Sequence, residues 1–215
     1  MAITTVISDF GGVLTTPLLR SFAAFQDETG IASASLGVAM QRIAEREGAH
    51  PLFELEKGRI TEDRFLADLA VELEGDLGHR PELHRFRDIY FEALDPNEEM
   101  VELMRGLRER GYRMALLTNN VREWEPLWRS LLPVDEIFEL IVDSAFVGMR
   151  KPEPGIYELI LERLGSPEPA ECLFVDDVEV NIEAARALGM SAVHFQHNGQ
   201  AIPEIEATLD GGARD

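Results

Sequence analysis

The carboxylates of this chain fall where a catalyst could use them. Asp9 ends the apolar run Ile3-Thr4-Thr5-Val6-Ile7-Ser8 and is followed by Phe10, Gly11 and Gly12. Two glycines at that point let the backbone turn sharply and come close to a ligand. Asp176 and Asp177 end a second run, Glu171-Cys172-Leu173-Phe174-Val175. Thr118, with Asn119 and Asn120 behind it, ends a third, Arg113-Met114-Ala115-Leu116-Leu117. Taken singly these residues have ordinary readings: Asp9 caps a turn, Asp176-Asp177 caps the next helix, and Lys151 is a surface lysine. Three polar endings in one chain say more. Parallel strands carry their carboxyl ends along one edge, the edge where open α/β sheets bind ligands. Acids gathered there repel one another unless a cation lies between them.

The apolar runs have the β-branched, unbroken character of strands buried on both faces. After the first of them the pattern turns helical, over 18–29, 33–47, 61–74 and 81–93. Thr61, followed by Glu62 and Asp63, is a hydroxyl cap with acids in the first turn, and Phe65, Leu66, Leu69 and Leu73 share one face. A crossover between parallel strands needs only about a dozen residues. The stretch 17–93 therefore reads as an inserted helical cap domain, and 1–16 with 94–215 as the core domain. From Asn97 helix and strand alternate: a helix over 98–110 stopped by Gly111, the strand before Thr118, and a helix carrying Trp124, Leu127, Trp128 and Leu131. A strand at 137–142, a helix at 156–164, the strand before Asp176, a helix at 181–188 stopped by Gly189 and a strand at 191–195 complete the set. The two tryptophans, four residues apart, read as packing, and the tail from Asp210 as frayed. The fold class is α/β: a doubly wound, Rossmann-like parallel sheet with an inserted helical cap.

Composition narrows the function. Forty acids against twenty bases give a formal charge of −20, which repels phosphate backbones and anionic membranes and excludes nucleic acid as a natural partner. No window holds the roughly 18 apolar residues needed to span a membrane. The single cysteine, Cys172, excludes an internal disulfide framework and suits a reducing compartment, so a cytoplasmic protein is expected. Any anionic substrate needs a locally placed cation. Five histidines show no zinc-ligand spacing, and Gly11-Gly12 lacks the Gly-Lys-Ser/Thr of a P-loop.

The order of these groups, with Lys151 between the second and third strand ends, resembles the haloacid dehalogenase superfamily, whose members are mostly phosphatases and phosphotransferases. The resemblance covers nearly the whole chain. Asp9-Phe10-Gly11-Gly12-Val13-Leu14 matches the first motif, Leu117-Thr118-Asn119-Asn120 the second, Gly148-Met149-Arg150-Lys151-Pro152 with Glu153 to Tyr157 the third, and Phe174-Val175-Asp176-Asp177 with Asn181 the fourth. Details look most similar to the branch of bacterial sugar-phosphate phosphatases and the N-terminal phosphatase domain of soluble epoxide hydrolase. The resemblance implies Asp9 as carboxylate nucleophile, with Thr118 and Lys151 completing the catalytic set, and Thr118, the Asn119 backbone N–H and Lys151 on the phosphate. It implies Mg²⁺ held by Asp9, the Gly11 carbonyl, Asp176 and Asp177, with Asp177 the direct ligand of the pair. The substrate would be a small phosphorylated metabolite such as a sugar phosphate, and the protein a monomer or homodimer.

Gly11 departs from the family pattern, in which a second aspartate protonates the leaving oxygen. Without it the expected choices are a substrate with an acidic leaving group, such as an anomeric sugar phosphate or an aryl phosphate, a proton donor delivered by the cap, or phosphate binding without turnover. A metal-independent 2-haloacid dehalogenase is a further alternative, disfavoured by the adjacent acids Asp176-Asp177. The polar turn Glu56-Lys57-Gly58-Arg59 could read the substrate, but a solvated loop is the commoner outcome for such a sequence.

Overall fold

The computed structural model describes residues 2–211, without the side chain of Leu19. Its five strands are β1 (Thr5–Ser8), β2 (Arg113–Thr118), β3 (Leu140–Asp143), β4 (Cys172–Asp176) and β5 (Ser191–His194). All pair in parallel, in the spatial order β3-β2-β1-β4-β5. β1 is central and every residue of it is buried, as a run with no polar face requires. Because side chains alternate along a strand, Val6 and Ile7 enter different cores. Val6 joins Leu116, Leu173 and Val193 on one face of the sheet, whereas Ile7 joins Leu117, Phe174 and Ile160 on the other. The strand order reverses on either side of β1, so the carboxyl ends of β1, β2 and β4 border one crevice.

Between β1 and β2 the chain forms α1 (Leu19–Thr29), α2 (Ser33–Glu47), α3 (Pro51–Glu56), α4 (Glu62–Leu77), α5 (Phe86–Glu92) and α6 (Glu98–Glu109). Thr61 caps α4 as its sequence suggests, its hydroxyl accepting from Arg64 N at 3.3 Å. The chain leaves and re-enters the sheet region side by side: Thr16 N donates to Asp95 O at 2.8 Å and Asn97 N to Leu14 O at 2.9 Å. A 3₁₀ turn (Arg122–Trp124) then leads into α7 (Glu125–Leu131) and α8 (Val134–Ile137), and α9 (Ser144–Val147), α10 (Pro154–Arg163), α11 (Glu179–Ala187) and α12 (Asn198–Gly211) follow.

Several elements differ from their sequence expectation. α3 has only six residues, too few to show a helical period. The strand expected at 137–142 begins at Leu140, because Ile137 closes a helical turn whose first positions carry Asp135 and Glu136. The helix expected at 81–93 starts only at Phe86. Residues Asp210 and Gly211 are not frayed: they end α12, which buries Ala201, Ile205 and Leu209 at four-residue spacing and whose pattern Pro203 obscures. The rest of that tail, 212–215, lies outside the described residues.

Candidate active site

Each strand end delivers its polar group to the crevice by hydrogen bonds that fix the backbone. Asp9 N donates to Val175 O at 2.8 Å, tying the residue after β1 to β4. Gly12, at φ +76°, turns the chain away from the site, and its N–H donates to Thr15 Oγ1 at 3.1 Å. A Cβ on Gly12 would lie 2.2 Å from Asp177 Oδ2, so glycine here is what lets Asp177 stand beside Asp9. Lys151 is 1% exposed; its ammonium donates to Asp9 Oδ1 at 2.7 Å and to Asp176 Oδ2 at 2.6 Å. The Asn119 side chain holds Lys151 in place from behind: Lys151 N donates to Asn119 Oδ1 at 2.8 Å, and Asn119 Nδ2 to Lys151 O at 3.0 Å. Thr118 is buried at the end of β2. No helix starts at Asn119; the first helical turn begins three residues further on, at Arg122.

Asp176 is fully engaged. Its Oδ1 accepts from Val178 N at 2.8 Å and from Asn181 Nδ2 at 3.0 Å, while Oδ2 faces Lys151. Oxygens of Asp9, Asp176 and Asp177 lie within 4.8 Å of one another. One lysine among three acids leaves negative charge in excess, and the titration of the group reflects it. Burial pushes the Asp9 carboxyl up to about 8; Lys151 opposes the shift, and Asp176 and Asp177 add to it. Asp177 is raised to about 6, first by burial and then by Asp176. For Lys151 burial acts downward, but the charges of Asp176 and Asp9 outweigh it and raise the ammonium. Three hard oxygen donors with surplus negative charge fit a small divalent cation such as Mg²⁺, which would restore charge balance and favour ionised Asp9.

The turn after α3 does not stand free in solvent. Glu56 accepts from Arg150 Nε at 2.6 Å, Ser144 Oγ donates to Glu56 O at 2.6 Å, and Lys57 reaches Glu153 at 3.4 Å. Gly58, at φ +63°, packs so tightly that a Cβ would fall 2.2 Å from Ala145 O. Burial raises the Glu56 carboxyl, with Arg150 opposing. Between this turn, the helices α1 to α5 and the strand ends lies a cavity of about 150 Å³, with Gly11, Thr118 and Asn119 on its wall.

Comparison with known proteins places this geometry. Residues 3–189 match the model of the haloacid dehalogenase-like hydrolases. The chain belongs to that family. Among its relatives, bifunctional epoxide hydrolase 2 of Sus scrofa is 28% identical over 218 residues, 96% of this chain and 39% of that protein. A phosphatase of Mycobacterium tuberculosis is 34% identical over 154 residues, 70% of this chain and 65% of that protein. The chain thus spans less than two thirds of the length of these relatives. A HAD family enzyme from Bacteroides thetaiotaomicron, solved as a complex with magnesium and inorganic phosphate, superposes with a TM-score of 0.69 at 25% identity, covering 93% of this chain and 98% of that one.

In this haloacid dehalogenase-like hydrolase the sequence-derived residues Asp9, Gly11, Thr118, Asn119, Lys151, Asp176 and Asp177 border one crevice. Glu56 and Arg150, which the sequence places in a polar turn and within the third motif, are paired beside the site. The available signal was the glycine at 58, which a close approach demands. Tyr90 was missed altogether; its phenol is raised by burial and by the charges of Asp9, Glu56 and Asp177, but an aromatic in an amphipathic helix reads as packing.

Proposed function

We propose that this hydrolase is a Mg²⁺-dependent phosphatase of a small phosphorylated molecule, working through an aspartyl-phosphate on Asp9. The observation that carries the reading is the bridging Lys151 ammonium, 2.7 Å from Asp9 and 2.6 Å from Asp176, with Asp177 beside them. Phosphoryl transfer asks for an in-line nucleophile and neutralised equatorial oxygens, and little more. Asp9 is the nucleophile: Asp176 has both oxygens held, by Val178 N, Asn181 Nδ2 and Lys151, whereas the Asp9 carboxylate is bonded by Lys151 on Oδ1 alone. Lys151 and the Thr118 hydroxyl hold the phosphoryl oxygens, and the Asn119 N–H adds a donor. Asp9, the Gly11 carbonyl, Asp176 and Asp177 would hold Mg²⁺, which supplies charge neutralisation when bound. Asn181 and the Val178 N–H orient Asp176 for that task. Helices α1 to α5, residues 17–93, act as a cap domain over the core of residues 1–16 and 94–215. The magnesium and phosphate complex of the Bacteroides enzyme and the phosphatase relative support the reading.

The test is a screen of phosphorylated metabolites with Mg²⁺ and with EDTA, run on the native protein and on Asp9→Asn. Release of phosphate by the native protein with Mg²⁺ alone is expected, with Asp9→Asn reduced by about 10³-fold or more. Equal rates in the two proteins contradict it.

A further inference from the structure

The cavity at the strand ends is apolar where a sugar would need partners. Its wall carries Phe10, Phe22, Tyr90, Phe91, Trp124 and Trp128, and the one charged residue among its described lining, Glu56, is taken by Arg150. Most polar side chains on the wall are also committed. Asn119 holds the Lys151 backbone, Asn120 Oδ1 accepts from Val121 N, Thr15 bonds Gly12 and Thr16, and Trp124 Nε1 donates to Glu62 at 2.8 Å. The Thr118 and Tyr90 hydroxyls, Asn120 Nδ2 and the partnerless Trp128 Nε1 are the groups left on the wall for a ligand; each hydroxyl of a sugar that they did not reach would be buried unpaired, at a cost of about 1–3 kcal/mol. A cavity of about 150 Å³ is the size of an engineered apolar cavity that takes a benzene ring.

Gly11 points to the same chemistry from the reacting end. Leu18 stands where a side chain at position 11 would project: a Cβ there would meet Leu18 Cδ2 at 3.3 Å. An aliphatic group thus lies where a carboxylic acid would have to serve the leaving oxygen. A phenol ionises near pKa 10, as the tyrosine side chain does, and can depart as its anion, whereas an alkoxide cannot do so readily without a proton.

We propose that the substrate is an aryl phosphate carrying one small, uncharged aromatic ring, seated in this cavity with its phosphate toward Gly11, Thr118 and Asn119. The inference rests on the phosphatase reading above. The bond from Asp9 Oδ to phosphorus forms as the bond from phosphorus to the ring oxygen breaks, and the electron pair leaves on the phenolate. Water then cleaves the aspartyl-phosphate, returning the Asp9 carboxylate and inorganic phosphate, and the proton released passes through solvent to the phenolate.

The experiment compares four phosphorylated compounds with Mg²⁺ on the native protein: the anhydride acetyl phosphate and the esters phenyl phosphate, benzyl phosphate and glucose 1-phosphate. The expected result is a kcat/KM for phenyl phosphate about 30-fold or more above that for glucose 1-phosphate, from burial of the ring. Its kcat should exceed that for benzyl phosphate, which has the ring but a basic leaving oxygen, by about 100-fold. Both tryptophans of the chain line the cavity, so phenylphosphonate should change the intrinsic fluorescence saturably and methylphosphonate should not. Glucose 1-phosphate or benzyl phosphate turning over as well as phenyl phosphate overturns the proposal, as does an unchanged fluorescence. Hydrolysis of acetyl phosphate without that of phenyl phosphate overturns it while the phosphatase reading stands. Hydrolysis of none of the four overturns both.

Discussion

Lys151 holds two carboxylates that no other cation among the described residues reaches within salt-bridge distance. Removing one partner of a buried charge pair leaves the others uncompensated, at a cost of about 3–5 kcal/mol. Lys151→Met is therefore expected to lower unfolding stability by roughly that amount in urea without divalent ions, and Mg²⁺ to restore part of it. A loss near zero contradicts the assignment of Lys151 as the counter-charge. Gly12→Ala acts on geometry alone. Its Cβ would collide with Asp177 Oδ2 at 2.2 Å, so a fall of about tenfold or more in Mg²⁺ affinity by calorimetry is expected, and unchanged affinity counts against Asp177 as a ligand. At this scale the sequence was informative where chemistry and strand ends coincide. Asp9, Thr118 and Asp176 each close an apolar run, which spacing alone reveals. The Asn119 amide that holds the Lys151 backbone, and the Glu56 carboxylate paired with Arg150, act across long stretches of chain, and no local pattern records such a meeting.

At the scale of elements, the turn between α3 and α4 joins the helical stretch to α9 and the loop that follows it. Its tightest point is Gly58 against Ala145 O. Gly58→Ala should displace the turn, break the pair of Glu56 with Arg150 and reduce kcat/KM by about tenfold, besides costing roughly 1–3 kcal/mol of stability. Gly48→Ala is the control. It has a similar φ of +76° but no atom within 4 Å of an added Cβ, so it should cost only about 1 kcal/mol and leave kcat/KM unchanged. Equal effects of the two substitutions on kcat/KM contradict a role for the docked turn. The longer elements were legible because periodicity accumulates over several turns, as in α2, whose bounds are Ser33–Glu47. Short ones such as α3, α8 and α9 escaped, since four to six residues carry no period and their form is set by what they pack against.

For the whole molecule, the parallel sheet and its central β1 followed from apolar runs alternating with helices, whereas the cavity between helices and strand ends had no linear signature. No helix among the described residues is long and apolar enough to cross a membrane. Global integrity can be followed through Cys172, which is buried and whose thiol is pushed up to about 11, first by burial and then by Glu171. The folded value lies above the ordinary 8.5 or so of a free thiol, so the folded state keeps its proton longer. Its stabilising contribution is complete below the unfolded value and is lost as pH rises toward about 11. Alkylation at pH 8 should accordingly be about 100-fold slower in the native protein than in urea, and equal rates contradict a closed core around β4. The most direct test of the central claim is mass spectrometry of the protein quenched in acid during turnover of a phosphate ester with Mg²⁺. A gain of about 80 Da, one phosphoryl group, is expected on the peptide containing Asp9. Turnover with no such adduct there, or with the adduct on another residue, contradicts it.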